Sequence, residues 1–219
     1  MSEYVRETQR GWLVGFCRAS KYLVIATLIE DVLLFLLLWW LISIFLSFFS
    51  LGRQDFLDLS KGLTYLMLNP QMQLIMLGFM ISYLLWLYAV FGEMIPSLRV
   101  LESQGISLGS SLTMVIIGTI VTLTLIAIQV TILSLTYIVL SDVTALITTY
   151  LLAFGILVAY LLMYVGFFLV FDKLGRFLGV GRLVTAGVLV LVSAFIIFLG
   201  PVAWFISFTT TRKLLSTAA

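Results

Sequence analysis

The sequence predicts an all-α fold, a polytopic helical membrane bundle of about five transmembrane helices, and three observations predict it. Of 219 residues, 63% are hydrophobic and only 10% are charged, where a soluble domain carries roughly 25% charged residues to cover its surface. The mean hydropathy is +1.22, so lipid rather than water is the main solvent. Charge-free runs of the ~20 residues needed to cross hydrocarbon recur along the chain.

The first run extends from Val32 to Leu51. Residues 1–29 ahead of it form an N-terminal cytoplasmic or interfacial segment, in which the apolar stretch Trp12 to Ile29, with Arg18 and Lys21, either lies along the headgroups or extends helix one inward. The apolar stretch is too long for a cleaved signal peptide and reads as a retained anchor. Residues 30–215 form a single transmembrane domain. Proline disfavours helix in the residue before it, so Asn69-Pro70 starts the second span, Gln71 to Gly92. Pro96 and Gly105 bracket a short interfacial helix, on which Arg99 and Glu102 are spaced to pair. Gly105 to Ser111 reads as the entry turn of the third span, which ends before Asp142. Ser141-Asp142 allows only a tight turn, making spans three and four an antiparallel hairpin. The fourth span covers Val143 to Phe171 and the fifth Leu183 to Thr211.

Basic residues set the orientation. With the N-terminus inside, the inner segments hold Arg6, Arg10, Arg18, Lys21, Arg99, Lys173, Arg176 and Arg182, against Arg53, Lys61, Arg212 and Lys213 outside. The expectation is N-inside, C-outside. Trp12, Tyr22, Trp86, Tyr88, Tyr160 and Tyr164 then fall toward the inner interface and Tyr65, Tyr137, Tyr150 and Trp204 toward the outer one, while Trp39 and Trp40 read as packed mid-span.

Chemistry is sparse. There is no histidine, and the single Cys17 cannot form an internal disulfide. No nucleotide, haem or hydrolase pattern occurs, so no catalytic residue, metal site or cofactor is expected. A net charge of +2 is too small to imply nucleic acid. Gly175, Gly179 and Gly181 among Lys173, Arg176 and Arg182 read as a turn against anionic headgroups, with Asp172 and Arg176 spaced to pair.

Small residues on one helix face let backbones approach in lipid. Gly78, Ser82, Ala89 and Gly92 form such a face on helix two, and Thr144, Thr148, Gly155, Ala159 and Gly166 on helix four. On helix three, Gly118, Thr122, Gln129 and Thr136 form one stripe and Thr113, Thr124 and Thr131 another. Threonine hydroxyls can bond back to their own i−4 carbonyls. Gln129 has more groups to satisfy and is the candidate interhelical polar contact.

Glu30 and Asp31 open helix one, where the macrodipole favours carboxylates, whereas Glu93 closes helix two, where it does not. The near-equal lengths of the two runs put Glu30, Asp31 and Glu93 at one depth, a candidate acidic pocket at the cytoplasmic end. The reading is a multi-pass protein of the cell membrane, its partners the lipid bilayer and other membrane subunits or further copies of itself. Its first functional expectation is a non-catalytic accessory or scaffold subunit of a membrane complex. The alternative is a small oligomeric transporter or channel using the acidic cluster, and a lipid-acting enzyme ranks last.

Overall fold

The computed structural model describes residues 3–51, 69–136 and 142–217. The Ser141 turn, Arg53, Lys61, Tyr65 and Tyr137 lie outside the described residues, as do the side chains of Thr136 and Thr144. The expected all-α membrane bundle is what the structure contains. Four helices are long and apolar enough to cross a bilayer, and a shorter apolar helix accompanies them.

Helix α1 (Glu3–Leu51) is continuous. At ~1.5 Å per residue its 49 residues exceed any bilayer core. Residue 29 marks no break: the N-terminal segment extends helix one inward, and Phe16, Ala19, Leu23 and Ala26 are fully buried. Helix α2 (Pro70–Leu87) starts where Asn69-Pro70 predicts, because the Asn69 side chain accepts the Gln71 N–H at 2.8 Å. A widened π segment, Tyr88–Met94, then leads into α3 (Ile95–Ser103). Pro96 has no N–H for the carbonyl four residues back, and its ring would crowd that carbonyl; the wider turn relieves both, with the Ile95 N–H reaching the Val90 carbonyl. The short helix is therefore a continuation of the second rod, ending near Gly105 at φ +95°. It packs on α1, where a Cβ on Gly15 would meet Ser97.

Helices α4 (Gly109–Thr136) and α5 (Asp142–Leu178) form the expected antiparallel hairpin. Their backbones nearly touch: a Cβ on Gly118 would lie 2.7 Å from the Met163 nitrogen, and one on Gly166 2.8 Å from the Val115 nitrogen. Ala159 and Gly166 of the predicted seam lie in this contact, while Gly155 meets only the flexible Leu125 side chain, at 3.2 Å. After Gly179, at φ +66°, comes α6 (Gly181–Ser193), then α7 (Leu199–Thr217).

The fifth stretch is where the path differs from the sequence reading. Leu183 to Thr211 is not one helix; the chain reverses through residues 194–198. With 13 residues, α6 is about 20 Å long, short of a ~30 Å core. Helix α7 then runs antiparallel to α1, since Thr27 neighbours Gly200 and the Ser20 and Ser207 hydroxyls meet at 2.8 Å. Thr217 consequently ends beside the N-terminal half of α1. A hairpin that stops short of crossing returns the chain to the side it entered from, the alternative to the N-inside, C-outside expectation. The apolar tip Phe195 to Phe198 is exposed.

The two long hairpins converge on an aromatic base. Phe167 meets Trp204 edge-on at 5.4 Å and Trp86 at 6.2 Å, and Phe171 meets Phe16 at 5.8 Å. Trp204 is thus buried rather than at an outer interface, and Trp12 is buried as well. Trp39 is 65% exposed and faces lipid instead of packing.

Two outcomes are expected from this architecture. Reporters fused ahead of Met1 and after Ala219 should read the same side of the membrane; opposite sides would restore a fifth full crossing. Gly118→Leu should destabilise the purified protein by about 1–3 kcal/mol or more, and Gly155→Leu by clearly less, in thermal denaturation in detergent. Equal losses would mean that the tight seam lies elsewhere.

Candidate functional site: a carboxylate cavity between the hairpins

Charges gather at the base of the bundle, with Arg18 and Lys21 on α1, Arg99 on α3, Asp172, Lys173 and Arg176 on α5, and Arg212 and Lys213 on α7. Lys173 donates to the Ser107 carbonyl at 2.9 Å, and Arg176 pairs with Asp172 at 2.9 Å. That pair is the one ion pair among the described residues; Arg99 and Glu102 do not form theirs. Lys21 is the last basic residue before the apolar part of α1. Glu30 lies nine residues beyond it, roughly 13 Å of helix rise, within the stretch Gly11–Ser43 that is long and apolar enough to cross a bilayer.

The expected trio of carboxylates does not assemble. Hairpin register decides this: Ser82, not Glu93, stands opposite Glu30. The Ser82 hydroxyl donates to the Ala26 carbonyl at 2.8 Å and lies 3.2 Å from a Glu30 oxygen. Glu93 is eleven residues further along the same rod, roughly 16 Å of rise and beyond the ~8–10 Å Debye length. There it accepts a hydrogen bond from the Tyr88 hydroxyl at 2.9 Å and neighbours Gly15. Asp31 stays beside Glu30 in sequence but turns to another face, with one oxygen buried and unpartnered.

Glu30 finds different company. It lines a partly open cavity of about 290 Å³ between the hairpins. The first hairpin contributes Glu30, Tyr83 and Trp86. Helix α4 contributes Thr119, Thr122 and Ile126, and α5 contributes Ile156, Tyr160, Met163 and Tyr164. Trp86, Tyr160 and Tyr164, expected at the membrane interface, are therefore interior. Tyr83 and Trp86 stack at 6.3 Å with 6° between their planes, and the Tyr160 hydroxyl donates to that of Tyr164 at 2.9 Å.

Two polar groups of this cavity lack full partners. A single Ser82 proton serves both the Ala26 carbonyl and Glu30, so the carboxylate is only partly satisfied. Thr122 is 8% exposed and its hydroxyl has no hydrogen-bond partner. Its neighbours behave as expected: Thr113, Thr119, Thr124 and Thr131 all bond back to carbonyls four residues earlier. Gln129 is half-buried on α4, one turn beyond Ile126, and does not line the cavity. Among the described residues no group of three acidic, histidine or cysteine side chains is placed to hold a metal.

A second hollow of about 380 Å³, at Phe91, Ile95, Pro96, Arg99 and Ile116, has a single charge and no unpartnered polar atom among its described lining residues. The cavity residues that sequence reasoning passed over left only faint signals. Tyr160 and Tyr164 repeat at helical spacing in an aliphatic helix, and Ser82 and Trp86 do the same on helix two. Compared with protein-family models, with curated proteins and with solved structures, the chain matches none.

Removing the unpartnered hydroxyl should cost nothing. Thr122→Val is expected to leave the melting temperature unchanged or raise it. Ser82→Ala should lower stability by about 1–3 kcal/mol, because it strips hydrogen bonding from a buried carboxylate. Thermal denaturation of both variants in detergent checks the pair; a loss for Thr122→Val as large as that for Ser82→Ala would mean that Thr122 has a partner.

Proposed function

We propose that this is a membrane-embedded binding protein of the transporter type, which takes a small molecule into the cavity between its hairpins and performs no covalent chemistry there. One observation carries the reading: a partly satisfied carboxylate, Glu30, lines a cavity between membrane-spanning helices that Thr122, whose buried hydroxyl has no partner, lines from the other hairpin. Ionisable groups within membrane spans are costly and line ligand or ion paths. A scaffold subunit would gain stability by closing such a cavity with apolar side chains.

The architecture supports the same reading. Each long hairpin packs closely within itself, and the two are joined below the cavity by the aromatic base, an arrangement suited to rocking of one unit against the other. The cavity supplies one carboxylate, phenols and threonines, without an activated nucleophile, which supports binding over catalysis. We place the protein in the cell membrane as a multi-pass chain, alone or in copies of itself. A stoichiometric second protein in the purified particle would return the accessory-subunit reading.

Ligand access is testable without knowing the ligand. In a Cys17→Ser background in nanodiscs, Thr122→Cys should react with a small membrane-permeant maleimide much faster than Ser111→Cys. Ser111 lies on the same helix but is sealed in the base. Equally slow labelling at the two positions would remove the cavity as a binding site.

A further inference from the structure

We propose that the ligand of this cavity is an organic cation, one positive charge carried on an aromatic or aliphatic body. This assignment rests on the binding role above and adds the ligand's chemistry.

Charge is the first argument. Every element that faces Glu30 lacks a basic residue over the facing stretch: α2 and α4 contain none, α5 none before Lys173, α6 none after Arg182, and α7 none before Arg212. On α1 itself Lys21 is roughly 13 Å of rise away. The protein places no countercharge beside Glu30, so a ligand that meets it in its ionised form brings the countercharge.

The walls give the second argument. Trp86, Tyr83, Tyr160 and Tyr164 surround the carboxylate, and aromatic faces attract cations, most effectively where water is excluded. Both features repel an anion. Ile126, Ile156 and Met163 complete the cavity with apolar surface, which suits an organic body. A bare metal ion fits poorly, because a hard cation needs about six oxygen ligands and the described residues offer no acidic cluster. A purely hydrocarbon ligand would leave Glu30 only partly satisfied, with Ser82 as its partner. The volume of about 290 Å³ lies just under the range of small-molecule sites, roughly 300–1,000 Å³, which points to one small molecule.

The test uses the full chain in nanodiscs with radiolabelled tetraphenylphosphonium, corrected for empty nanodiscs. Saturable binding is expected. It should be displaced by benzyltrimethylammonium at roughly one-tenth of the concentration required of neopentylbenzene, its uncharged isostere, a tenfold preference. Glu30→Gln should abolish that preference, and Thr122→Trp, which fills the cavity, should abolish binding. The isostere comparison in the parent protein decides the matter even if Glu30→Gln fails to fold. Equal displacement by the two isosteres, or no saturable tetraphenylphosphonium binding where Thr122→Cys is readily labelled, overturns the cation assignment and leaves the binding role standing. Unreactive Thr122→Cys removes the binding role itself, and this assignment with it.

Discussion

Phe167 is where the two long hairpins are held together. Its ring takes edge contacts from Trp86 of the second helix, Tyr164 of its own helix and Trp204 of the last. Beneath it, Phe171 receives Phe16. In lipid, association depends on close packing and interhelical hydrogen bonds, because burial of apolar surface drives little. Interlocked aromatic edges supply such packing at the base. Beyond Phe167 toward the apolar half, the hairpins diverge enough to leave the cavity. The cavity is therefore a consequence of where the aromatic contacts stop.

Polar groups in hydrocarbon need partners inside the protein, and this chain satisfies many of them locally, while Trp12 Nε1, one Asp31 oxygen and the Ser111, Thr122 and Thr210 hydroxyls are buried without a partner. Threonine hydroxyls bond back to their own helix, and Ser20 meets Ser207 across α1 and α7. Of the unpartnered groups, Thr122 is distinguished by lining the same cavity as the partly satisfied Glu30. The two residues come from different hairpins. Ser82 ties Glu30 to the inner face of the first hairpin without neutralising it.

The reversal at residues 194–198 shows how apolar segments conceal their path. Leu183 to Thr211 contains no charge and exceeds the length of a span, so hydropathy reads one crossing. Gly187 lets α6 press against Phe171, and the start of α7 at Gly200 lies beside Thr27 and Ser193. These contacts fold the stretch into a hairpin. Four backbone N–H groups of the reversal, those of Phe195, Ile196, Leu199 and Gly200, donate to carbonyls within it.

The sequence by itself determined the solvent, the helical class, the start of helix two at Asn69-Pro70, the proline-led α3, the Ala159 and Gly166 part of the helix-four seam and the back-bonded threonines. Each follows from local chemistry: hydropathy, a missing N–H, a missing side chain, a hydroxyl within reach of its own helix. Only the tertiary structure decided that Glu30 faces Ser82 rather than Glu93, that Trp86, Tyr160 and Tyr164 point inward, and that the chain turns back before α7. In a soluble helix the apolar stripe marks the packed face. In these helices nearly every face is apolar, so register and facing are set by which small residues admit a neighbouring backbone, a choice that exists only once the helices meet.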